Sequence, residues 1–306
     1  MSSLMANFYN PVYWHTWLGL GILRLVSLLP WSLQRMAARA FGATCFYFIP
    51  VRRFVVLINL RICFPELTEA ERRRIARRHY QSLALGILET ARAWWKKPAK
   101  LPPYRIEGLE HLENAKAKGK GVLLVSGHFT TLEIAGRILC LNTRISCLYR
   151  DPNNLLLAKF LREHRTSWTN RAIPMADLKG LLNALRAGEV VWYAPDQGKA
   201  SAHSKLLPFF GEPAVTNTAT SRLAHMSGAT VVPFYPKRLA DNTYVLTILP
   251  ALENFPTGDE SADTLRIVAK LEQAIRVAPE QYLWVHRRFK RRKGLPRVYF
   301  NPRTSA

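Results

Sequence analysis

Acidic side chains are scarce in this chain. There are 21 Asp and Glu against 44 Lys and Arg, a formal charge of +23. That imbalance excludes a self-neutralised surface and requires an anionic partner: nucleic acid, an anionic bilayer or an acidic protein. Cysteine is equally sparse. Cys45, Cys63, Cys140 and Cys147 form no CxxC pair and sit in apolar runs, which excludes a disulfide or zinc framework and reads as small buried hydrophobes in a reducing cytoplasm. No cluster of His, Cys and Asp suggests a metal centre, and no cofactor is expected. Repeats and low-complexity linkers are absent, and residues 98–306 show no internal boundary. No Ser or Cys occupies a nucleophile elbow, so nothing marks a covalent enzyme intermediate. What is plentiful is apolar material, 48% of the residues, enough for a substantial core in one large domain or two small ones.

The most apolar stretch is VYWHTWLGLGILRLVSLL, from Val12 to Leu29, with Arg24 its single cation. As one helix it would reach about 27 Å, close to the roughly 30 Å of a hydrocarbon core. Tyr13, Trp14, Trp17 and Trp31 stand near its ends as interfacial anchors do, and Arg24 is placed to snorkel towards head groups. A cleaved signal peptide would carry cations before the apolar run, and none precede Arg24. A buried soluble helix competes, because Gly19, Gly21 and Arg24 weaken the span. The favoured reading is an anchor over residues 1–33, spanning or lying in the interface. Arg35, Arg39, Arg52 and Arg53 follow it, which puts the body on the cytoplasmic side. Phe41 to Ile49 is too short to span and is expected to pack on the body or dip into the interface.

A helical segment at 34–97 and an α/β body at 98–306 are expected next. Thr68-Glu-Ala-Glu71 is a capping box opening a helix that runs to about Lys97. The arginines at 72–74, 77 and 78 form either a solvated face or a face towards lipid phosphates. In the body, strands are expected at 121–125, 190–194, 230–235 and 244–248. Helices are expected at 155–164, 178–187, 216–226 and 263–277. That alternation points to an α/β fold with a mostly parallel sheet flanked by helices.

The chemistry-bearing stretch is Val125-Ser-Gly-His-Phe-Thr-Thr-Leu-Glu133. Residues five apart on a helix diverge by about 140°, so His128 and Glu133 cannot share one helical face. With the strand ending at Val125 and a helix opening near Thr130, His128 lies on the turn and Glu133 in the first helical turn. The carboxylate could then hold one imidazole nitrogen and leave the other to accept a proton. Gly127 suits tight backbone beside the histidine, and the helix N-terminus offers amides for an oxyanion. The alternative is purely structural, since Thr130-x-x-Glu133 is itself a capping box.

The HxxxxE pattern after a strand resembles the signature of glycerolipid acyltransferases, and ordered blocks resemble one branch, the lipid A late acyltransferases. These blocks are Asn59–Leu67 (NLRICFPEL), Gly121–Gly136, Tyr149–Asn154 (YRDPNN), Val191–Gln197 (VWYAPDQ), Pro208–Gly211 (PFFG), Thr220–Leu223, Ser227–Ala229 and Pro279–Lys290 (PEQYLWVHRRFK). The resemblance implies an inner-membrane enzyme that takes an acyl group from acyl carrier protein. The acceptor it implies is a hydroxyl on an acyl chain of a phosphorylated lipid A precursor. His128 carries over as general base and Glu133 as the group holding its tautomer. Arg150, with Asn153 and Asn154, matches the block expected to bind an acceptor phosphate, and Asp196 and Gln197 occupy a third block near the same cleft. The run Gly198–Lys205 departs from the acidic-aromatic-glycine sequence usual there.

The basic surplus then has three uses: the anionic membrane, the phosphorylated acceptor and the acidic carrier protein. HRRFKRRK, residues 286–293, holds six Lys and Arg in eight positions. In it His286, Arg287 and Arg288 are candidate contacts to acceptor or carrier, against a solvated terminal face. Arg222 and Arg171 are either partners of carboxylates or further anion contacts. A nucleic-acid role is opposed by the apolar N-terminus and the lack of any recognisable module. The nearer alternative is a glycerophospholipid or lysophospholipid acyltransferase using the same pair.

Overall fold

Val122–Val125 is apolar throughout, as a strand covered on both faces must be. In the computed structural model, which describes residues 7–198 and 203–299, it forms β2, and all four side chains are fully buried. Val122 and Leu124 pack on one side of the sheet against helices α5 (Leu109–Ala117) and α6 (Leu132–Asn142). Leu123 and Val125 face the other side, against α8 (Leu178–Arg186) and α9 (Ala219–Ser227). This alternation is the two-residue period of a strand seen from both faces.

Six further strands join β2 in one sheet: β1 (Tyr104–Glu107), β3 (Ser146–Tyr149), β4 (Ala172–Pro174), β5 (Val190–Tyr193), β8 (Thr230–Arg238) and β9 (Tyr244–Ile248). Their order across the seven-stranded sheet is β1-β9-β8-β2-β5-β3-β4. Every neighbouring pair is parallel except β8 with β9. The fold is therefore mixed α/β with a mostly parallel sheet flanked by helices. The expected strands and helices at 121–125, 155–164, 178–187, 190–194, 230–235, 244–248 and 263–277 are present with small shifts at their ends.

One expectation is corrected. Residues 216 and 217 are not helical but end β7 (Glu212–Asn217), which pairs antiparallel with β6 (Ser204–Phe209) in a separate hairpin. Phe210 and Gly211 both take positive φ at its tip, the geometry of a two-residue hairpin turn. Asn217 then accepts from the backbone N–H of Ala219 at 2.8 Å and turns the chain into α9.

Among the described residues, four α-helices precede the sheet. The expected capping box is formed: Thr68 accepts from the Glu71 N–H at 3.3 Å, and Glu71 accepts from the Thr68 N–H at 2.8 Å. It opens α4 (Glu69–Trp95), whose buried face carries α2 (Trp31–Phe48) and α3 (Pro50–Cys63). The apolar N-terminal run is shorter as a helix than its composition suggests. Helix α1 covers Trp14–Val26, about 20 Å at 1.5 Å per residue. It ends there because Pro30 disfavours helical backbone at Leu29 and lacks the N–H a continuing helix would need. Among the described residues no single helix is long and apolar enough to cross a membrane. Helices α2 and α3 together meet the length and composition test, but they are bent by 92°. Arg24 lies over the Trp95 ring at 5.3 Å. The four cysteines are free, two buried and two half-buried.

Candidate active site

The chain leaves β2 towards β3, skipping the place later filled by β5. From β5 it crosses back, by way of the hairpin and α9, to β8 on the far side of β2. The carboxyl ends of β2 and β5 therefore border a point where the connections diverge, which in open parallel sheets is where a crevice forms. Val125 and Tyr193 are register partners at those ends. Three residues beyond each stand His128 and Asp196.

These two side chains meet. His128 donates from Nδ1 to Oδ1 of Asp196 at 2.5 Å, and the His128 backbone N–H donates to Oδ2 at 2.9 Å. The Asp196 side chain is 1% exposed and that of His128 is 30% exposed, so the carboxylate is enclosed and the outer ring nitrogen is the accessible one. Burial by itself would raise the Asp196 pKa. The facing imidazole, its hydrogen bonds and the Tyr282 hydroxyl outweigh that and bring it down to about 2. For His128, burial disfavours the charged ring, yet the Asp196 carboxylate lifts its pKa above the usual 6.5, opposed in part by Arg165. The pair is thus an ionised carboxylate holding a strengthened, outward-facing base.

The turn carrying His128 is fixed from three sides. The Leu283 N–H donates to the His128 carbonyl at 2.9 Å, and the Thr130 N–H donates to the Gln281 carbonyl at 2.8 Å. Ser82 on α4 shares a hydrogen bond with the Thr130 hydroxyl at 2.7 Å. Gly86 lets α4 come this close, because a Cβ there would sit 2.3 Å from the Thr130 carbonyl oxygen. Gly127 has ordinary φ. Its missing side chain spares a 2.6 Å clash with Leu271 on α10 (Glu260–Val277).

Glu133 does not hold His128. It lies in the first turn of α6 as expected, buried, but its Oε1 accepts from Nε of Arg165 at 2.8 Å and also from Nη2 of the same guanidinium. Arg165 comes from α7 (Leu155–Thr166) and is the group whose charge His128 feels. The other oxygen of Glu133 is buried without a partner. The correction follows from direction. Glu133 follows His128 in the chain, but it points back under α7, whereas Asp196 is brought opposite by strand register. Sequence reasoning does not give Asp196, Arg165 and Tyr282 these roles. A signal for Asp196 is nevertheless present: Val-Ser-Gly-His and Tyr-Ala-Pro-Asp put a histidine and an aspartate at the same offset beyond two apolar strands.

The remaining candidates divide. Arg150 is exposed immediately after β3, beside the same edge of the sheet, and Gln197 is half-buried next to Asp196. Asn153 is exposed. Asn154 has a structural role, capping α7 through Leu157 N–H at 3.0 Å and donating to Thr16 of α1 at 2.8 Å. Arg288 also serves the structure: it is buried, donating to the Val215 carbonyl at 2.6 Å and to Thr216 at 2.8 Å, with its guanidinium over Phe209. Arg222 donates to His203 at 2.7 Å, and Arg171 pairs with Glu189 at 2.7 Å. His286 stands near enough to His128 and Asp196 to feel both charges, and Arg287 beside it is exposed. Of the unusual run 198–205, residues 199–202 lie outside the described residues. No group of three His, Cys, Asp or Glu among the described residues is arranged to hold a metal.

Residues 3–291 match the family model of bacterial lipid A biosynthesis acyltransferases. The chain is 37% identical to the lipid A biosynthesis lauroyltransferase of Escherichia coli over 294 residues, covering 95% of this chain and 96% of that protein. It is 36% identical to the palmitoleoyltransferase of the same organism, over 94% of both chains. Identity to the myristoyltransferase of that organism is 26%, over 94% of this chain and 90% of that one.

Proposed function

The chain belongs to the bacterial lipid A biosynthesis acyltransferases, and from that premise we propose that it moves a fatty acyl group from an acyl carrier protein thioester to a hydroxyl of a phosphorylated lipid A precursor. His128 is the general base, with Asp196 as the carboxylate that orients it. The outer ring nitrogen takes the proton of the acceptor hydroxyl as its oxygen attacks the thioester carbonyl carbon. The carbonyl oxygen becomes the oxyanion of a tetrahedral species, beside the Arg165 charge and the N-terminal turn of α6. Collapse restores the carbonyl, breaks the carbon–sulfur bond, and the departing thiolate receives the proton from His128.

Attack is direct, without an acyl-enzyme, and Glu133 acts through Arg165. The reaction takes place at the cytoplasmic surface of the inner membrane, with α1 lying in the interface. Trp14, Leu18, Ile22 and Leu25 supply the supporting observation there, since all four are exposed along one side of α1.

The observation that carries the reading is the His128–Asp196 pair at the divergence of β2 and β5, in a chain with this family's sequence. The test is His128→Ala in the full chain, with acylated carrier protein and lipid A precursor, the product being weighed by mass spectrometry. Transfer should fall by about 10²–10⁴-fold, the contribution of a positioned base, with the melting temperature nearly unchanged. An undiminished rate would overturn the assignment.

A further inference from the structure

Outside the His128–Asp196 contact, a groove of about 910 Å³ lies between the preceding helices and the segment 283–290. Its walls are apolar, with Phe41, Ile49, Val51, Leu83, Ile87 and Leu283 among them. Three cations also line it, Arg52, Arg287 and Lys290, and among the described residues no carboxylate does. Such a surface fits a ligand with a hydrocarbon part and an anionic part, and the volume suits one.

Three further observations identify the occupant. The groove opens beside the bend between α2 and α3, where Tyr47, Phe48, Ile49 and Val51 are exposed and Phe48 is 79% so. A patch of that kind faces something other than water. The groove wall also reaches the catalytic turn, since Leu283, one of its residues, donates its N–H to the His128 carbonyl. Lastly, His286 lines the groove with its Nε2 buried and unpartnered. Burial first, then Lys290, lowers its pKa to about 4, so the ring is neutral and has a hydrogen-bonding nitrogen to offer. An unsatisfied buried nitrogen is costly unless a ligand supplies a partner.

We propose that this groove binds the acyl-bearing acceptor, a phosphorylated lipid. Its chain lies between Ile87 and Leu283, its phosphate faces Arg52, Arg287 and Lys290, and a polar group near the head of the chain bonds to His286. The inference rests on the acyltransferase reading and adds which surface holds the acceptor. The donor is left to approach His128 from another side. The wall formed by segment 283–290 is held in place by α3, because Asn59 donates to the carbonyls of Trp284 and His286 at 2.7 and 2.8 Å.

The experiment uses the full chain in neutral detergent and two surface variants, Ile87→Glu and the double variant Arg287→Ala/Lys290→Ala. Both are checked by melting temperature, and each position is at least partly exposed. Dodecyl phosphate binding is measured by equilibrium dialysis, with inorganic phosphate and dodecyl maltoside as separate probes. Wild type should bind dodecyl phosphate at least tenfold more tightly than either control, and each variant should lose most of that preference. In the transfer assay, acceptor KM should rise about tenfold or more in each variant, with donor KM unchanged. A rise in donor KM instead, or equal binding of inorganic phosphate, would overturn the assignment of the groove. So would unchanged KM values. Failure of wild type to transfer at all, with dodecyl phosphate still bound and the variants still defective, would strike the acyltransferase reading and leave the groove standing.

Discussion

The sheet and the helices that precede it treat apolar surface in opposite ways. In the sheet, β2 hides every side chain and its neighbours form two continuous clusters, one on each face. In α1 and α2, the buried stripe is narrow and polar enough to include Gln34, whereas Trp14, Leu18, Ile22, Leu25, Met36 and Phe41 face outward. Water alone drives the first pattern, because burial removes apolar area from solvent at about 25 cal/mol per Å². The second leaves apolar surface open, and on our proposal that surface faces lipid. The turn carrying His128 lies where the two regions touch, at Thr130 against Gly86.

Two buried carboxylates are paired with cations: Glu133 with Arg165 in the body, and Glu89 of α4 with Arg238 of β8 and with the Tyr244 hydroxyl at 2.5 Å. Arg165→Met should be the most damaging substitution away from the His128–Asp196 pair, costing about 3–5 kcal/mol by leaving Glu133 buried without its cation. Chemical denaturation in detergent measures it. A cost below about 1 kcal/mol would mean that solvent reaches Glu133 and that the body is less dry than its packing indicates.

A smaller effect separates the histidines. His79 on α4 is completely buried, its Nδ1 donating to the Glu280 carbonyl at 3.1 Å, and burial lowers its pKa to about 4. Its unfolded value is near 6.5, so between pH 6.5 and 4 the unfolded chain binds a proton the folded chain refuses. That contribution is complete above pH 6.5 and is lost as pH falls, amounting to about 3 kcal/mol by pH 4. His79→Gln should flatten the fall in melting temperature across that window, and an unaltered slope would assign it to other groups. The outer face of α1 gives an effect of similar size. Leu18→Ser with Ile22→Ser should weaken binding to anionic vesicles by about 2–4 kcal/mol in sedimentation assays, without changing transfer to acceptor in detergent micelles. Equal vesicle binding would remove α1 from the membrane interface.

Much of this is legible in the residues, and the exceptions share a cause. Periodicity and caps are local, so β2, the Thr68 capping box and the helix ending at Val277 can be read directly. The hairpin at 204–217 is hidden because its Thr and Asn residues suit a helix cap as well as a strand, and only pairing decides between them. The helix after Val12 looks longer in the sequence than it is, because apolar composition masks the effect of Pro30. At the site, the motif marks His128 but points to a partner five residues away in the chain. The actual partner follows β5, where parallel register rather than sequence distance places it. Arg288 and Asn154 look like ligands in one dimension because polarity is visible there and burial is not.

The central claim is that Asp196, and not Glu133, sets the basicity of His128. Its most direct test is the pH dependence of kcat/KM for acyl transfer in wild type, Asp196→Asn and Glu133→Gln. His128 must be neutral to accept a proton, so activity rises with pH through its pKa, which Asp196 holds above 6.5. In Asp196→Asn that ascending limb should move to lower pH while the plateau drops by about 10²-fold or more. Glu133→Gln reaches the ring only through the Arg165 charge, so it should move the limb far less than Asp196→Asn does, whatever it does to the plateau. A limb that moves in Glu133→Gln and stays fixed in Asp196→Asn would contradict the account.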